Sequence, residues 1–141
     1  MEQKESRHGF YAFDDDLLIT THLLYQLELL FENTEIILDV FNNPIKGLEK
    51  IKQNEADGIR TVGCLMDFQM PELRGDLVIR ELKSFAPWSK VIMVSGNTSD
   101  KLVADLADEG LLSFYIEKPW EDRELKEKIN EILPPELKYT R

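Results

Sequence analysis

Five polar side chains in this sequence stand where short apolar segments end, and their types suit the chemistry of metal ions and phosphoryl groups. Asp14 and Asp15 follow the first such segment, Asp67 follows the third, and Ser95 and Lys118 follow the fourth and the fifth. Acidic turns, serine–glycine pairs and single lysines are each common at protein surfaces. Their agreement at the ends of every segment but the second indicates one shared site at the edge of a sheet.

The charges of this set of residues indicate what it could do. Two carboxylates ~4 Å apart repel each other by about 4 kcal/mol at an effective dielectric constant of about 20, unless a cation joins them. Oxygen ligands in an acidic site suit Mg²⁺, with Mn²⁺ as the alternative ion. A carboxylate can also attack a phosphoryl group, while an ammonium (Lys118) and a hydroxyl (Ser95) orient the transferred oxygens. Asp67, the lone acid after its segment, is interpreted as the nucleophile, and Asp14 and Asp15 as metal ligands.

Alternating strands and helices are expected to position these residues. The segment from Val62 to Met66 is apolar, ends at Asp67 and is stopped by Met70-Pro71, which is typical of a strand buried on both faces. Strands are predicted at 10–13, 35–41, 62–67, 90–94 and 111–116, and helices at 17–31, 44–53, 76–85, 99–109 and 121–133. This alternation predicts an α/β fold with a doubly wound parallel sheet and helices on both faces.

The composition limits the classes of protein that fit this chain. Its 141 residues suit one domain, and its formal charge of −10 disfavours direct binding to nucleic acid or to anionic membranes. The single cysteine, Cys64, lies inside an apolar segment and suits a reducing compartment. The amino terminus is too polar for a signal peptide and no apolar run reaches the length of a membrane span. We therefore expect a cytoplasmic protein without membrane insertion.

Common cofactor motifs are absent from the sequence. No G-x-G-x-x-G follows the first strand and no G-x-x-x-x-G-K-[ST] occurs, which disfavours dinucleotide and P-loop nucleotide sites. His8 and His22 have no cysteine or second histidine at ligand spacing, so no zinc site is expected.

The ordered motifs resemble those of a known family, the receiver domains of two-component response regulators. They are Asp14-Asp15, the run Asp67-Phe68-Gln69-Met70-Pro71 with Gly75, Ser95-Gly96 and Lys118-Pro119-Trp120. The resemblance covers about 8–133 and implies a flavodoxin-like sheet of strand order 2-1-3-4-5 with five helices. Residues 1–7 would then be a flexible amino terminus, and 134–141 a carboxyl-terminal tail or the start of a linker.

The resemblance implies a role for each residue of the site. Asp67 would accept a phosphoryl group from the phosphohistidine of a sensor histidine kinase or a histidine phosphotransfer domain. Asp15, Asp67 and the backbone carbonyl of Gln69 would ligate Mg²⁺, with Asp14 acting through water. Lys118 would pair with the phosphoryl group and precede a cis proline.

The resemblance also implies which residues take part in switching and which set the lifetime of the phosphorylated state. Ser95 would move toward the phosphoryl group and Tyr115 would rotate inward behind it. This change would be read on the fourth helix, fifth strand and fifth helix by a downstream output domain or protein. Gln69 and Asn97, at the mouth of the site, would tune the rate at which the aspartyl phosphate hydrolyses.

The first predicted helix carries a second apolar stripe. Leu18, Tyr25 and Leu29, with His22 among them, lie opposite the stripe that is expected to face the core. In receivers this helix flanks the active site, so the stripe is interpreted as the docking surface for the kinase or phosphotransfer domain. A homodimer interface is the alternative.

Two other functions compete with a phosphoacceptor switch. Haloacid dehalogenase-like phosphohydrolases also use an aspartyl nucleophile, but they place a second Asp where this chain has Gln69, which cannot transfer protons. A phosphorylation-independent scaffold would not need the acid pair, Ser95 or Lys118. We therefore expect a switch that catalyses its own phosphorylation and dephosphorylation rather than a turnover enzyme.

Overall fold

Strands and helices alternate along the part of the chain that the structure, a computed structural model, describes: residues 7–96 and 99–138. The strands are β1 (Arg7–Phe13), β2 (Ile37–Phe41), β3 (Ile59–Met66), β4 (Lys90–Ser95) and β5 (Phe114–Glu117). The helices are α1 (Leu17–Leu30), α2 (Pro44–Ala56), α3 (Gly75–Phe85), α4 (Asp100–Asp108) and α5 (Asp122–Ile132), followed by a 3₁₀ turn (Pro135–Leu137). Residues 1–6 of the predicted flexible amino terminus lie outside the described residues.

All four strand pairings are parallel, and the sheet order β2-β1-β3-β4-β5 confirms the predicted topology. The register pairs Phe13 with Met66, and Ser95 with Glu117. The last residues of neighbouring strands therefore lie side by side. We call this side of the sheet the carboxyl edge, and the polar residues that follow the strands meet there.

The sheet is covered on both faces, as its apolar strands require. One face packs against α2, α3 and α4 through a cluster that includes Tyr11, Ile51, Val78, Met93 and Leu106. The opposite face packs against α1 and α5 through a cluster that includes Phe10, Leu27, Leu65, Ile92 and Ile129. We call these the first and the second core cluster. Strand β3 contributes to both, which explains why its sequence is apolar without alternation.

Polar caps set where several helices begin. The carboxylate of Asp16 accepts a hydrogen bond from the Leu18 backbone N–H, and the side-chain oxygen of Asn43 accepts from the first turn of α2. The Ser99 hydroxyl caps α4 in the same way. Gly110, with φ of 76°, lies just past the end of α4 in a left-handed conformation that disfavours other residues.

The structure differs from the sequence-based boundaries by three residues at four places: β1 begins at Arg7, β3 at Ile59 and β5 at Phe114, and α2 extends to Ala56. Leu111 and Leu112 were predicted to lie in β5, but the strand begins at Phe114. The Leu111 N–H donates instead to the Leu106 carbonyl and so closes the end of α4, while the Leu112 side chain is buried in the first core cluster. An apolar segment that packs as a loop has the same composition as a strand, which accounts for the difference.

The segment after α5 packs on the second core cluster. Its 3₁₀ turn begins at Pro135 and buries the side chain of Leu137, which is 8% exposed. Each helix in the part of the chain that the structure describes is too short or too polar for a membrane span.

Candidate functional site

Three carboxylates converge at the carboxyl edge of the sheet. Asp14 and Asp15 follow β1, Asp67 follows β3, and one oxygen from each lies within 4.8 Å of the others. The strands cause this proximity, because the Asp67 N–H donates to the Phe13 carbonyl at 2.9 Å and so extends the β1–β3 pairing by one residue. Asp14 and Asp67 are buried, at 2% and 4% exposure, whereas Asp15 faces solvent. The site therefore has a closed acidic floor and one accessible acid at its rim.

Lys118 supplies the positive charge of this site. Its Nζ lies 2.6 Å from Asp14 Oδ2 and 3.6 Å from Asp67 Oδ2. Its backbone N–H donates to the Ser95 carbonyl at 3.0 Å, and the following peptide bond to Pro119 is cis, as the resemblance implies. Backbone contacts between β4 and the loop after β5 thus bring the lysine to the carboxylates.

The remaining oxygens of the two buried acids are held by backbone groups. Asp67 Oδ1 accepts from the Gln69 N–H at 3.3 Å, so its two oxygens face different partners. Asp14 Oδ1 accepts from the Asp16 N–H at 2.9 Å, while its Oδ2 meets the Lys118 ammonium. Both carboxylates are therefore oriented before any ligand arrives.

The three carboxylates of this site carry more negative charge than the single ammonium balances. Burial, followed by the neighbouring Asp14 charge, raises the pKa of Asp67 to about 6, although Lys118 opposes the change. Burial alone would lower the pKa of Lys118, but its hydrogen bond to Asp14 and the charge of Asp67 outweigh burial and raise it. One ammonium thus only partly compensates three acids, and a divalent cation at Asp14, Asp15 and Asp67 would relieve their repulsion.

The set of ligand atoms fits a hard cation. Carboxylate oxygens gathered within 4.8 Å of one another suit Mg²⁺, which takes one or two carboxylates and keeps several waters. Within the described residues, neither cysteine nor histidine belongs to this cluster, and such ligands would have favoured zinc.

Comparisons with known proteins agree with this geometry. A model of the response regulator receiver domain matches residues 13–130. The chain belongs to that family. It is 26% identical to the chemotaxis protein CheY of Bacillus subtilis (strain 168) over 106 residues, which cover 75% of this chain and 83% of CheY.

Solved receiver structures share the fold over nearly the whole length. A CheY-like receiver domain from Methanospirillum hungatei JF-1 has a TM-score of 0.70 at 26% identity, covering 89% of this chain and 93% of that one. A receiver domain from Clostridium thermocellum has a TM-score of 0.72 at 25% identity, with the same coverage of both chains. Receiver domains are signalling switches of two-component systems, not turnover enzymes, and this chain is one of them.

The receiver residues predicted for switching lie beside the carboxylate site. Ser95 ends β4 with 1% exposure. Tyr115 on β5 is half-buried and packs against the first core cluster, and its hydroxyl donates to the Ser95 carbonyl at 3.1 Å. A direct hydrogen bond thus joins the two positions. Asn97, predicted to affect hydrolysis, lies outside the described residues.

Two further side-chain contacts lie around the site. Asp16, which directly follows the acid pair, caps α1 by accepting a hydrogen bond from the Leu18 N–H. The ring of Trp120 stacks on His22 of α1, with 6.2 Å between ring centroids. An aspartate directly before an apolar helix is a recognisable cap signal, whereas the tryptophan–histidine contact joins distant parts of the chain and has no signal in the sequence.

Proposed function

We propose that this receiver takes a phosphoryl group onto Asp67 from the phosphohistidine of a sensor histidine kinase or a histidine phosphotransfer domain. The observation that carries the proposal is the contact of one ammonium, Lys118, with Asp14 and Asp67 inside a cluster of three convergent carboxylates. The proposed receiver unit spans residues 8–133 and acts in the cytoplasm.

The transfer needs a nucleophile and a neutralised phosphoryl group. An Asp67 oxygen bonds to phosphorus while the nitrogen–phosphorus bond of the donor breaks, and its electron pair stays on the imidazole nitrogen, which takes a proton from water. Lys118 and the Ser95 hydroxyl neutralise and orient the transferred oxygens. Asp15, Asp67, the Gln69 carbonyl and, through water, Asp14 would hold Mg²⁺ or Mn²⁺, and the bound ion would supply further positive charge near the phosphoryl oxygens.

Intact-mass measurement after incubation with acetyl phosphate and Mg²⁺ tests this proposal. We expect the wild-type chain to gain one phosphoryl group and the Asp67→Asn chain to gain none. Asp15→Ala should show little labelling, because the accessible metal ligand is lost. Full labelling of Asp67→Asn would contradict the assignment, and wild-type protein that binds no Mg²⁺ would favour a phosphorylation-independent scaffold.

The exposed stripe of α1 is proposed to dock the phosphohistidine partner. Leu18, Tyr25 and Leu29 are 83%, 62% and 49% exposed, and His22 between them reaches Trp120 beside the lysine loop. Apolar side chains grouped on one face mark contact surfaces more often than scattered ones do. The stripe begins at Leu18, whose backbone N–H donates to Asp16, the residue after the accessible acid Asp15. A homodimer through the same stripe is the competing interpretation.

Two matched double changes separate docking from general surface effects. Leu18→Glu with Leu29→Glu should slow phosphotransfer from the cognate donor at least tenfold and leave labelling by acetyl phosphate unchanged. Ile45→Glu with Leu77→Glu places the same charges on exposed apolar residues of α2 and α3 and should leave both rates unchanged. Equal transfer rates for the first pair and wild type would refute docking. Sedimentation of the wild-type chain tests the homodimer.

We propose that phosphorylation changes the position of Tyr115 and so alters the surface formed by α4, β5 and α5. A Ser95 side chain drawn toward the phosphoryl group would leave space behind it, and burying the tyrosine ring there would shift a two-state equilibrium by about 1–3 kcal/mol. The hydrogen bond from Tyr115 to the Ser95 carbonyl supports this coupling. A downstream output domain or protein would bind the altered surface.

Beryllofluoride, a phosphoryl mimic, tests the switch. Ring NMR signals of Tyr115 and backbone signals of α4 should shift when the mimic saturates Asp67. Unchanged signals at saturation would exclude this route of output.

Gln69 and Asn97 are proposed to set the lifetime of the aspartyl phosphate. Their joint replacement by alanine should change the hydrolysis rate more than twofold, and a smaller change would remove them from this role.

A further inference from the structure

The loop between β3 and α3, residues 67–74, contains a group of side-chain contacts that lie outside the cluster of three carboxylates. Asp67 begins the loop and Arg74 ends it, directly before the first residue of α3. The guanidinium of Arg74 lies over the ring of Phe68, with 5.5 Å from its carbon to the ring centroid. The same guanidinium donates to both oxygens of Asp76, at 3.1 Å from Nε and 2.8 Å from Nη2. We call this set of three side chains, Arg74, Phe68 and Asp76, the loop clasp.

The backbone under the clasp is closely packed. The Gly75 N–H donates to the Phe68 carbonyl at 2.8 Å. A Cβ at Gly75 would lie 2.4 Å from the Asp67 carbonyl oxygen and 2.8 Å from the Phe68 Cα, so only glycine permits this approach. The two ends of the loop are therefore in direct contact, and the clasp lies across that contact.

One peptide group connects the clasp to the carboxylate site. The Phe68 carbonyl and the Gln69 N–H belong to the same planar peptide group. Its oxygen accepts from Gly75, while its hydrogen is donated to Asp67 Oδ1 at 3.3 Å. Rotation of this group would break both hydrogen bonds together. The orientation of the Asp67 carboxylate thus depends on how firmly Phe68 is held.

The clasp is poorly suited to a purely stabilising role. The Arg74 side chain is 61% exposed, and ion pairs of exposed arginines contribute only about 0–1 kcal/mol to stability. Asp76, by contrast, is buried at 8% side-chain exposure in the first turn of α3, where the helix dipole favours a carboxylate. Asp76 therefore provides a fixed anchor, and the bidentate fork fixes the arginine plane above the Phe68 ring.

We infer that Arg74 is a positioning residue for the acidic site: it holds Phe68, and through the Phe68–Gln69 peptide group it orients the Asp67 carboxylate for Mg²⁺. This inference rests on the proposed function, since it concerns the affinity of that site for the metal. Outer partners of metal ligands typically alter metal affinity by about 10–100-fold. Arg74 acts one step further out, so its loss is expected to weaken Mg²⁺ binding by about three- to tenfold.

The sign of the effect distinguishes positioning from simple electrostatics. Removing a positive charge near an acidic site should by itself tighten the binding of a cation. Positioning predicts the opposite, a weaker affinity. Arg80 provides a matched control, because it lies on the same helix and pairs with Glu109 at 2.8 Å, while the charge of Asp76 is the weakest influence on its pKa. Arg80→Ala removes the same charge and should leave Mg²⁺ binding equal to wild type or slightly tighter.

The experiment is calorimetric titration of Mg²⁺ into full-length wild type, Arg74→Ala, Arg74→Lys, Phe68→Leu and Arg80→Ala, each with its unfolding curve in urea. We expect dissociation constants raised about three- to tenfold for Arg74→Ala and Phe68→Leu. Arg74→Lys keeps the charge but not the fork and should fall between Arg74→Ala and wild type. In acetyl phosphate labelling, Arg74→Ala should raise the half-saturating Mg²⁺ concentration relative to wild type and Arg80→Ala.

Two results would overturn the inference. The first is a dissociation constant for Arg74→Ala equal to or below that of Arg80→Ala. The second is a loss of stability in the clasp variants with no change in Mg²⁺ affinity, which would assign the clasp to helix capping. Phe68→Leu keeps the test decisive if Arg74→Ala fails to fold. Wild-type protein that binds no Mg²⁺ would refute the proposed function itself, which is a separate outcome.

Discussion

Replacing the predicted phosphoacceptor by its neutral isostere should stabilise the metal-free protein. Asp67 has its pKa raised from 3.8 to about 6, first by burial and then by the charge of Asp14. Each pKa unit corresponds to about 1.36 kcal/mol, so keeping this carboxylate ionised in the folded state costs about 3 kcal/mol. Asp67→Asn removes that cost, because the asparagine amide does not ionise.

The pH dependence of this effect has a definite direction. Below about pH 3, the Asp67 carboxyl is protonated in both the folded and the unfolded chain, and its pKa shift does not affect stability. Between about pH 3 and pH 6 the unfolded chain loses this proton first, so the folded state is progressively disfavoured. The stability that Asp67→Asn gains should therefore be near zero at about pH 3 and reach about 2–3 kcal/mol at about pH 7.

Urea unfolding followed by circular dichroism, in EDTA at several pH values, measures the difference in unfolding free energy. Asp105→Asn is a suitable control, because it removes one charge from an exposed position of α4. It should change stability by less than about 0.5 kcal/mol. With Mg²⁺ present, wild type should gain stability by mass action and the gap to Asp67→Asn should narrow. Asp67→Asn that is no more stable than wild type at pH 7 without metal would refute this reasoning, as would a gap independent of pH.

Three further substitutions test the site and the core. Lys118→Ala should still bind Mg²⁺ in calorimetry but label slowly with acetyl phosphate, because the ammonium is proposed to contact the phosphoryl group; labelling as fast as wild type would remove the lysine from the mechanism. Gly75→Ala should lose about 1–3 kcal/mol in urea unfolding, because its Cβ would lie 2.4 Å from the Asp67 carbonyl; unchanged stability would mean that the backbone yields easily. Tyr11→Phe should cost about 1–3 kcal/mol in the same assay, because the buried Asn54 amide loses its 2.9 Å hydrogen bond to the tyrosine hydroxyl; a neutral change would show that the amide finds another acceptor.

The sequence sufficed to predict the fold because local patterns and topology rules agree. Apolar segments, turn residues and helix caps alternate so regularly that a doubly wound parallel sheet is the consistent solution. The carboxyl ends of parallel strands share one edge, and so Asp14, Asp67 and Lys118 could be brought together without knowledge of any side-chain contact. The contacts of 2.6 Å and 3.6 Å from Lys118 Nζ to the two carboxylates follow from that arrangement.

Contacts between distant parts of the chain could not be predicted from the sequence. The apolar residues Leu111 and Leu112 resemble a strand, and only the closure of α4 by Leu111 shows that they form a loop. On α2 the buried face runs through Pro44, Leu48 and Ile51, and Ile45, one residue after Pro44, is 49% exposed although it is apolar. Local periodicity cannot resolve such one-residue offsets, since tertiary packing decides which face a short helix buries.

The loop clasp illustrates the same point at the site. Arg74 and Asp76 are separated by one residue and would be taken for ordinary surface charges at the start of a helix. Only the position of Phe68 beneath the guanidinium, and the 2.8 Å hydrogen bond from Gly75 to the Phe68 carbonyl, connect them to Asp67. The clasp bears on the site because the Phe68–Gln69 peptide group is hydrogen-bonded both to Gly75 and to the Asp67 carboxylate. No pattern of residue types predicts that arrangement.

Direct identification of the modified residue is the most decisive measurement for this receiver. Borohydride reduces an aspartyl phosphate to homoserine, and sequencing of the proteolytic peptides by mass spectrometry then locates it. After acetyl phosphate treatment with Mg²⁺, homoserine should appear at position 67 and disappear when EDTA replaces the metal. Homoserine at position 14 or 15, or equal modification at position 67 without any divalent cation, would contradict the central claim that Asp67 accepts the phosphoryl group in a metal-dependent site.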